Sequence, residues 1–159
     1  MKVSTGAYLF IGVGGMGMAP LAGWMARAGY SISGYDDNLQ ERVRNFLVES
    51  GVMLHDFVFA ERFEQFTTVV YSSAIQSDHR LLIAARQQGL ATMRRGEMLA
   101  EIASSKRLIA LVGSHGKTTT SGMIAYGVRH CGVAANYILG GLFNDAELPP
   151  SQYAESDWL

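Results

Sequence analysis

Several features are scarce in this sequence of 159 residues, and each scarcity excludes a class of protein. The only cysteine is Cys131, and one thiol can form neither an intrachain disulfide nor a cysteine-based zinc site. A reducing compartment, the cytoplasm, therefore fits the chain, and we predict that this thiol is buried and structural. The formal net charge is −1 with lysine and arginine scattered, which argues against a basic face for nucleic acid.

Apolar runs of membrane-spanning length are also missing from the sequence, as are internal repeats and low-complexity stretches. The apolar run at residues 7–13 is short and leads into glycines. It therefore predicts a buried strand entering a turn, not a signal peptide or a membrane span, and we expect no membrane partner. With 48% hydrophobic and 17% charged residues, the chain can bury an ordinary globular core.

What the sequence does contain is a regular alternation of strand and helix patterns. Strand patterns lie at residues 7–13, 30–35, 52–57, 67–74, 90–94, 106–113 and 134–139, with helical patterns between most of them. This βαβ rhythm predicts an α/β fold, a Rossmann-like parallel sheet with helices on both faces. Asn38 and Ser77 are predicted to cap the second and third helices, and residues 140–157 are predicted to be loop.

We place a domain boundary near Ser104–Ser105. Residues 1–104 then form one complete domain, and residues 105–159 form the incomplete beginning of a second. A strand, loop, helix and strand alone would leave a sheet edge and an apolar face uncovered. We therefore expect the chain to be a piece of a longer protein.

The first glycine loop follows the first predicted strand and opens a helix. Its G-x-G-x-x-G pattern predicts a binding site for a nucleotide diphosphate, built from Gly12, Gly14, Gly15, Met16 and Gly17. Asp36, at the end of the next strand, can accept hydrogen bonds from a ribose. On these residues alone the expected ligand is NAD, and the alternative is a tight turn that binds nothing.

The second glycine loop, "GSHGKTT", follows the apolar pattern at 106–113 and opens another helix. It predicts a site for a nucleoside triphosphate, made by Gly113, Ser114, His115, Gly116, Lys117, Thr118 and Thr119. Lys117 suits the terminal phosphates, and the Thr118 hydroxyl can ligate Mg²⁺. The strict P-loop has glycine where this chain has Leu111, so a surface loop with a chance G-K-T is the alternative.

The two loops together resemble the Mur ligases of bacterial peptidoglycan synthesis. The matching stretches are "GVGGMGMAPLA" (12–22), "SGYD" (33–36), "VVYSSAI" (69–75), "RRGEMLAEI" (94–102) and "VGSHGKTTT" (112–120). The resemblance implies that 1–104 binds a UDP-sugar and that 105–159 starts a P-loop ATPase α/β domain. It also implies an ATP- and Mg²⁺-dependent amide ligase. The carboxylate of UDP-N-acetylmuramate would become an acyl phosphate, from which an amine, L-alanine in the alanine-adding members, displaces phosphate.

Site roles follow from the resemblance position by position. The first loop, Asp36, Ser72, Ser73 and Arg95 would bind the UDP-sugar, while the second loop would bind ATP with Lys117 as the catalytic residue and Thr118 as the Mg²⁺ ligand. Ser72 and Ser73 could equally cap the turn that leaves their strand.

At two places the sequence departs from the family pattern, and these departures leave the identity of the incoming amine open. Phe57-Val58 stands where the family commonly has Gly-His, and Leu139-Gly140-Gly141 stands where the alanine-adding members have Asn-Gly-Gly. The second departure is more like the related ligase that attaches a recycled tripeptide. An NAD-linked oxidoreductase and a nucleotide-binding module without chemistry are the other classes considered. The oligomeric state stays open, and we expect this chain alone not to ligate.

Overall fold

The computed structural model describes residues 6–56, 63–145 and 147–159, so the departure at Phe57-Val58 lies outside the described residues. Five parallel strands form one sheet: β1 (Ala7–Ile11), β2 (Ser31–Tyr35), β3 (Met53–Leu54), β4 (Thr68–Tyr71) and β5 (Ala91–Arg94). Their order across the sheet is β3-β2-β1-β4-β5. The predicted Rossmann-like parallel sheet is confirmed.

Helices cover both faces of this sheet, as predicted. The helices are α1 (Met18–Arg27), α2 (Glu41–Glu49), α3 (Arg80–Gln87), α4 (Arg95–Ser104) and α5 (Lys117–His130). Buried side chains of α1, α2 and α4 form a core on one face, and those of α3 form a core on the other with Phe63 and Phe66. Among the described residues, none of the helices combines the length and the apolar character needed to span a bilayer.

The central strand β1 explains why the first apolar run shows no polar alternation. Tyr8 and Phe10 point into the core beneath α1, whereas Leu9 and Ile11 point into the core beneath α3. All four side chains are buried, and β1 pairs with β2 on one side and with β4 on the other. A strand that is covered on both faces needs apolar residues at every position.

The two helix caps predicted from the sequence are wrong. Helix α2 begins after Gln40 and α3 begins after His79, so Asn38 and Ser77 are not the caps. The amide of Asn38 donates to the side chain of Asp36 (2.9 Å), which holds this stretch in a turn before the helix can start. Gly51 and Gly89 follow α2 and α3 with φ of +90° and +74°, which favours glycine.

The prediction of a buried strand at residues 106–113 is wrong. Its backbone pairs on one side only, because the amides of Arg107 and Ile109 donate to the carbonyls of Asp157 and Leu159 (2.7 and 2.8 Å). Leu108 and Ile109 are 51% and 59% exposed. The segment forms an isolated β-bridge between Arg107 and Trp158. No second strand lies beside it in the described parts of the chain, so no sheet forms there.

A second correction concerns residues 134–157. The predicted strand at 134–139 is shorter, β6 (Tyr137–Ile138), and the predicted loop contains a further strand, β7 (Ser151–Gln152). These two strands pair antiparallel, and the Tyr137 hydroxyl donates to the carbonyl of Pro149 (3.1 Å). The pairing joins residues far apart in sequence, so the local pattern of "PPSQY" does not reveal it.

Asn136 attaches this C-terminal part to the Rossmann-like part. Its side-chain oxygen accepts from the buried indole N–H of Trp24 in α1 (3.1 Å) and from the amide of Ala154 (2.9 Å). Its side-chain nitrogen donates to the carbonyls of Ser156 (3.0 Å) and Trp158 (2.8 Å). Since Asn136 is only 4% exposed, these four bonds satisfy a polar group that would otherwise destabilise the interface. The domain boundary near residue 104 stays a prediction.

The thiol of Cys131 is exposed, so its predicted burial is wrong. Cys131 caps the C-terminus of α5, a helix of which only Ala125 is buried in the described part of the chain. The sequence before Cys131 predicts a helix, and α5 confirms it. The pattern does not specify whether another element covers that face of the helix.

Replacing Gly23 in α1 should destabilise the fold. A Cβ at this position would lie 2.5 Å from Cζ of the buried Phe46 ring and 3.1 Å from Oγ of Ser50, so α1 and α2 would have to separate. We expect Gly23→Ala to lower the free energy of unfolding by about 1–3 kcal/mol, measured by urea denaturation.

Gly127→Ala is the matched control, because Gly127 also lies inside a helix but has no neighbour within 4 Å of an added Cβ. This control should be stabilising by about 0.5–1 kcal/mol. Equal losses at both positions would contradict the close approach of α1 and α2.

Candidate functional site

The first glycine loop lies at the carboxyl end of the sheet, between β1 and α1. The amides of Gly12 and Val13 both donate to the carbonyl of Tyr35 (2.8 and 3.1 Å), and Gly12 has a φ of +76°. These bonds turn the chain sharply as it leaves β1. The sheet order reverses direction between β1 and β4, which is where ligands bind in open α/β sheets.

Several loop amides that were predicted to meet a diphosphate are already satisfied within the protein. Besides Gly12, the amide of Gly14 donates to Oδ2 of Asp36 (2.8 Å), and that of Gly15 to the carbonyl of Gly12 (3.2 Å). Across the described residues, the amides of Met16 and Gly17 have no acceptor. The amides available to an anion are therefore those at the start of α1, where the helix dipole is positive.

Asp36 lies where the sequence predicts, at the end of β2, but its two carboxylate oxygens both hold backbone. Oδ2 accepts from Gly14 and Oδ1 from Asn38 (2.9 Å). A Cβ on Gly14 would lie 2.9 Å from Oδ2 and 2.8 Å from Leu39, so only glycine permits this arrangement. Asp36 therefore fixes the shape of the loop. Its contact with a ribose stays a prediction.

Arg95 lies directly over the free end of α1. Three guanidinium atoms lie 3.1 Å from the position that a Cβ on Gly17 would occupy. The backbone that carries Arg95 is fixed, because the amide of Arg94 donates to Glu97 (2.5 Å) at the start of α4. The guanidinium has no acceptor within the parts of the chain that the structure describes. A cation without a partner beside a positive helix end favours an anionic ligand.

Ser72 and Ser73 follow β4 on the other side of the loop. Ser72 Oγ accepts from the amide of Ala74 (3.2 Å), so it caps the turn that leaves the strand. The Cβ of Ser72 and the side chain of Ile75 lie 3.3 Å from where a Cβ on Gly12 would stand. The turn-capping interpretation is thus confirmed for Ser72, while contact of either serine with a ligand stays a prediction.

The second glycine loop is curled and leads directly into α5. Gly113 and Gly116 have φ of +154° and +77°, and Lys117 Nζ reaches back to the carbonyls of Gly113 (2.5 Å) and Ser114 (3.2 Å). The structure shows no acceptor, in any described residue, for the amides of 113–119. Ser114, His115 and the other residues of this loop are exposed, so their amides are open to a ligand.

One cleft connects the two loops. It has a volume of about 740 Å³ and lies between α4, α5 and residues 108–111. Its lining includes Gly17 and Arg95 beside the first loop and Lys117 and Thr118 of the second, together with many apolar side chains. No aspartate or glutamate side chain lines the cleft among the described residues. Its charged lining side chains there are the cations Arg95 and Lys117, which suits an anionic ligand.

A metal ion at this cleft would rely on few protein ligands. The described residues contain no group of three or more histidine, cysteine, aspartate or glutamate side chains placed to hold a metal. Mg²⁺ at nucleotide sites commonly keeps several waters and is held largely by phosphate oxygens. The Thr118 hydroxyl alone, at the first turn of α5, fits such a site.

A polar cluster at the end of β2 was not predicted from the sequence. The Tyr35 hydroxyl donates to Oδ1 of Asp37 and accepts from Nη2 of Arg80 (3.4 Å). Burial, followed by the hydrogen bond to Asp37, raises the pKa of Tyr35, and Arg80 partly opposes this shift. The acidic pair Asp36-Asp37 was the available signal, but Arg80 comes from a helix 45 residues away in sequence.

A Rossmann-like sheet whose glycine loop shares a cleft with a second, P-loop-like loop is the architecture of nucleotide-binding α/β proteins. A family model described as Mur ligase family, catalytic domain, matches residues 7–107. The chain belongs to the Mur ligase family.

Relatives by sequence carry a consistent name. The UDP-N-acetylmuramate–L-alanine ligase of Gloeobacter violaceus is 42% identical over 134 residues, which cover 83% of this chain and 28% of that protein. The enzyme of the same name from Methylorubrum extorquens is 39% identical over 150 residues, covering 94% of this chain and 32% of that protein. The chain thus spans about a third of the length of the curated relatives it matches.

Solved structures share the fold. The UDP-N-acetylmuramate-alanine ligase of Thermotoga maritima superposes with a TM-score of 0.84 at 22% identity, over 96% of this chain and 36% of that one. A murein peptide ligase from Psychrobacter arcticus gives a TM-score of 0.81 at 23% identity, over 95% of this chain and 34% of that one. At these identities the two structures support the fold alone, so they do not distinguish L-alanine from a tripeptide as the incoming amine.

Removing the carboxylate of Asp36 should loosen the first loop. Asp36→Ala leaves the amides of Gly14 and Asn38 without their acceptors, so we expect a loss of about 1–3 kcal/mol in the free energy of unfolding. Hydrogen exchange at the Gly14 amide should accelerate. Asp36→Asn keeps one carbonyl oxygen and should lose less. Unchanged exchange at Gly14 in the alanine variant would contradict the assigned bond.

Proposed function

We propose that this chain supplies the UDP-sugar site and the ATP site of an ATP-dependent amide ligase. Its substrates would be UDP-N-acetylmuramate and L-alanine. The muramyl carboxylate attacks the γ-phosphorus of ATP and ADP leaves, which gives an acyl phosphate. The amine then attacks the acyl carbon, phosphate leaves, and an amide forms. Such a reaction belongs in the cytoplasm, where ATP is available.

The shared cleft is the observation that carries this proposal. A ligase of this kind must bring a carboxylate on one substrate to the terminal phosphate of another, so the two anion sites must open into one space. The first loop with Arg95 and the second with Lys117 line a single cleft of about 740 Å³. Two unrelated nucleotide sites would not need this arrangement.

Each glycine loop has its own hydrogen-bond donors and its own cation for a phosphate group. We assign the UDP diphosphate to the amides of Met16 and Gly17 together with the Arg95 guanidinium, which has no other partner among the described residues. The β and γ phosphates of ATP go to the amides of 113–119 and to Lys117. Mg²⁺, held by Thr118 and phosphate oxygens, would neutralise phosphate charge. Fixed donors of this kind stabilise the charge that develops during phosphoryl transfer.

L-alanine is preferred over a tripeptide as the amine because relatives at 39–42% identity carry the alanine-ligase name. The two murein peptide ligases of known structure are 23% identical to this chain, a level that supports the fold alone. An NAD-linked oxidoreductase is less well supported, because the matching family model and the curated relatives are ligases.

Arg95→Ala should weaken binding of UDP-N-acetylmuramate by about 10- to 100-fold in isothermal titration, the effect of losing charged hydrogen bonds. The matched control is Arg94→Ala, since Arg94 is adjacent in sequence but does not line the cleft. Equal effects at both arginines would show that only overall charge matters. Heat on adding NAD, with none from the UDP-sugar, would overturn the proposed ligand.

Lys117→Met should weaken ATP binding by about 10- to 100-fold and leave the affinity for UDP-N-acetylmuramate unchanged. The reason is that the two cations belong to different elements, Lys117 to α5 after the second loop and Arg95 to α4 beside the first loop. Titration of each nucleotide against the same variant separates the two sites. Loss of both affinities would contradict two independent anion sites.

A further inference from the structure

A glycine outside the P-loop, Gly141, lies close to the side chain of Thr118, the proposed Mg²⁺ ligand. A Cβ on Gly141 would lie 2.7 Å from Cγ2 of Thr118, a distance that real Cβ atoms essentially never show. Gly141 is buried, whereas the neighbouring Gly140 is exposed and has nothing within 4 Å of an added Cβ. The two adjacent glycines therefore differ in what a side chain would meet.

The turn that carries Gly141 is anchored on both sides. Before it, Leu139 is buried against Ala125 of α5, and its amide donates to the carbonyl of Pro150 (3.0 Å). After it, Phe143 packs near Gly122 of α5, 3.6 Å from the position of an added Cβ there.

Arg42 of α2 provides a further anchor. Its Nη2 donates to the carbonyls of Phe143 (2.7 Å) and Asp145 (3.0 Å). The turn is therefore fixed to α5 and to the Rossmann-like part at the same time, and it cannot retreat from Thr118 without breaking these contacts.

Thr118 has one easy way to escape an added methyl group. It is exposed at the first turn of α5, and threonine in a helix populates two χ1 rotamers. Rotation about χ1 would remove Cγ2 from Gly141, but it would also move the hydroxyl. The contact with the turn thus selects one hydroxyl position.

We propose that Gly141 is a positioning residue for the ATP site, because its lack of a side chain lets the turn at 139–143 fix the Thr118 rotamer that presents the hydroxyl to Mg²⁺. This inference rests on the proposed function, since it assumes that MgATP binds at the second loop. The proposal adds a residue from outside that loop to the ATP site. It predicts that glycine is required at 141 but not at 140.

The test is ATP titration in Mg²⁺ and in EDTA, using Gly141→Ala, Gly140→Ala, Thr118→Ser and the Gly141→Ala/Thr118→Ser double variant. We expect Gly141→Ala to lose about 10- to 100-fold in affinity in Mg²⁺, as when the support of a metal ligand is removed, and little in EDTA. Gly140→Ala should match the wild type. Serine lacks Cγ2 and keeps the hydroxyl, so Gly141→Ala should have no effect when made in the Thr118→Ser background.

Two results would overturn this inference while leaving the ATP site intact. One is an equal effect of alanine at 140 and at 141. The other is a loss at 141 that is the same with and without Mg²⁺ and that serine at 118 does not restore. Absence of ATP binding by the wild type would instead overturn the proposed function. The contact itself is checked separately by thermal unfolding, in which Gly141→Ala should lower Tm relative to Gly140→Ala and Thr118→Ser should reverse the loss.

Discussion

The carbonyl of Tyr35 at the end of β2 accepts hydrogen bonds from the amides of both Gly12 and Val13, and the rest of the first site depends on this interaction. It fixes the direction in which the chain leaves β1. Gly34 permits it, since a Cβ there would lie 2.9 Å from the side chain of Val13. With the turn fixed, Asp36 can take the amide of Gly14, and the open amides are left to the start of α1.

Helix α1 also connects the Rossmann-like part to the C-terminal part. Helix α1 begins beside Arg95 and carries Trp24, whose indole bonds to Asn136 of the C-terminal part. Asn136 in turn holds the carbonyl of Trp158, and Trp158 pairs with Arg107 shortly before the second loop. A continuous set of hydrogen bonds and packed side chains therefore connects the first glycine loop to the second. Satisfied buried polar groups of this kind make an interface specific as well as stable.

The sequence predicts well those features that depend on local geometry. Gly12 of the first loop, Gly113 and Gly116 of the second, and the glycines that follow α2 and α3 all have positive φ, which is a requirement of the local backbone. It predicts poorly whatever depends on distant neighbours. The occupation of the Gly14 amide by Asp36 and the pairing of β7 result from contacts between segments that are separated in the chain, and Leu108 is exposed because no such segment covers it among the described residues.

The two cations of the cleft differ in a way that bears on ligand selection. The Lys117 ammonium donates hydrogen bonds to two carbonyls of its own loop, so the second loop can hold its shape without a ligand. Arg95 lies at the positive end of α1 with no acceptor among the described residues, an arrangement that is unfavourable until an anion arrives. A diphosphate would pair with Arg95 whether it belonged to NAD or to a UDP-sugar, so the first loop alone would not choose between them. In the proposed ligase the second loop would supply the choice, because forming an acyl phosphate requires a carboxylate within reach of the terminal phosphate, and UDP-N-acetylmuramate carries a carboxylate whereas NAD does not.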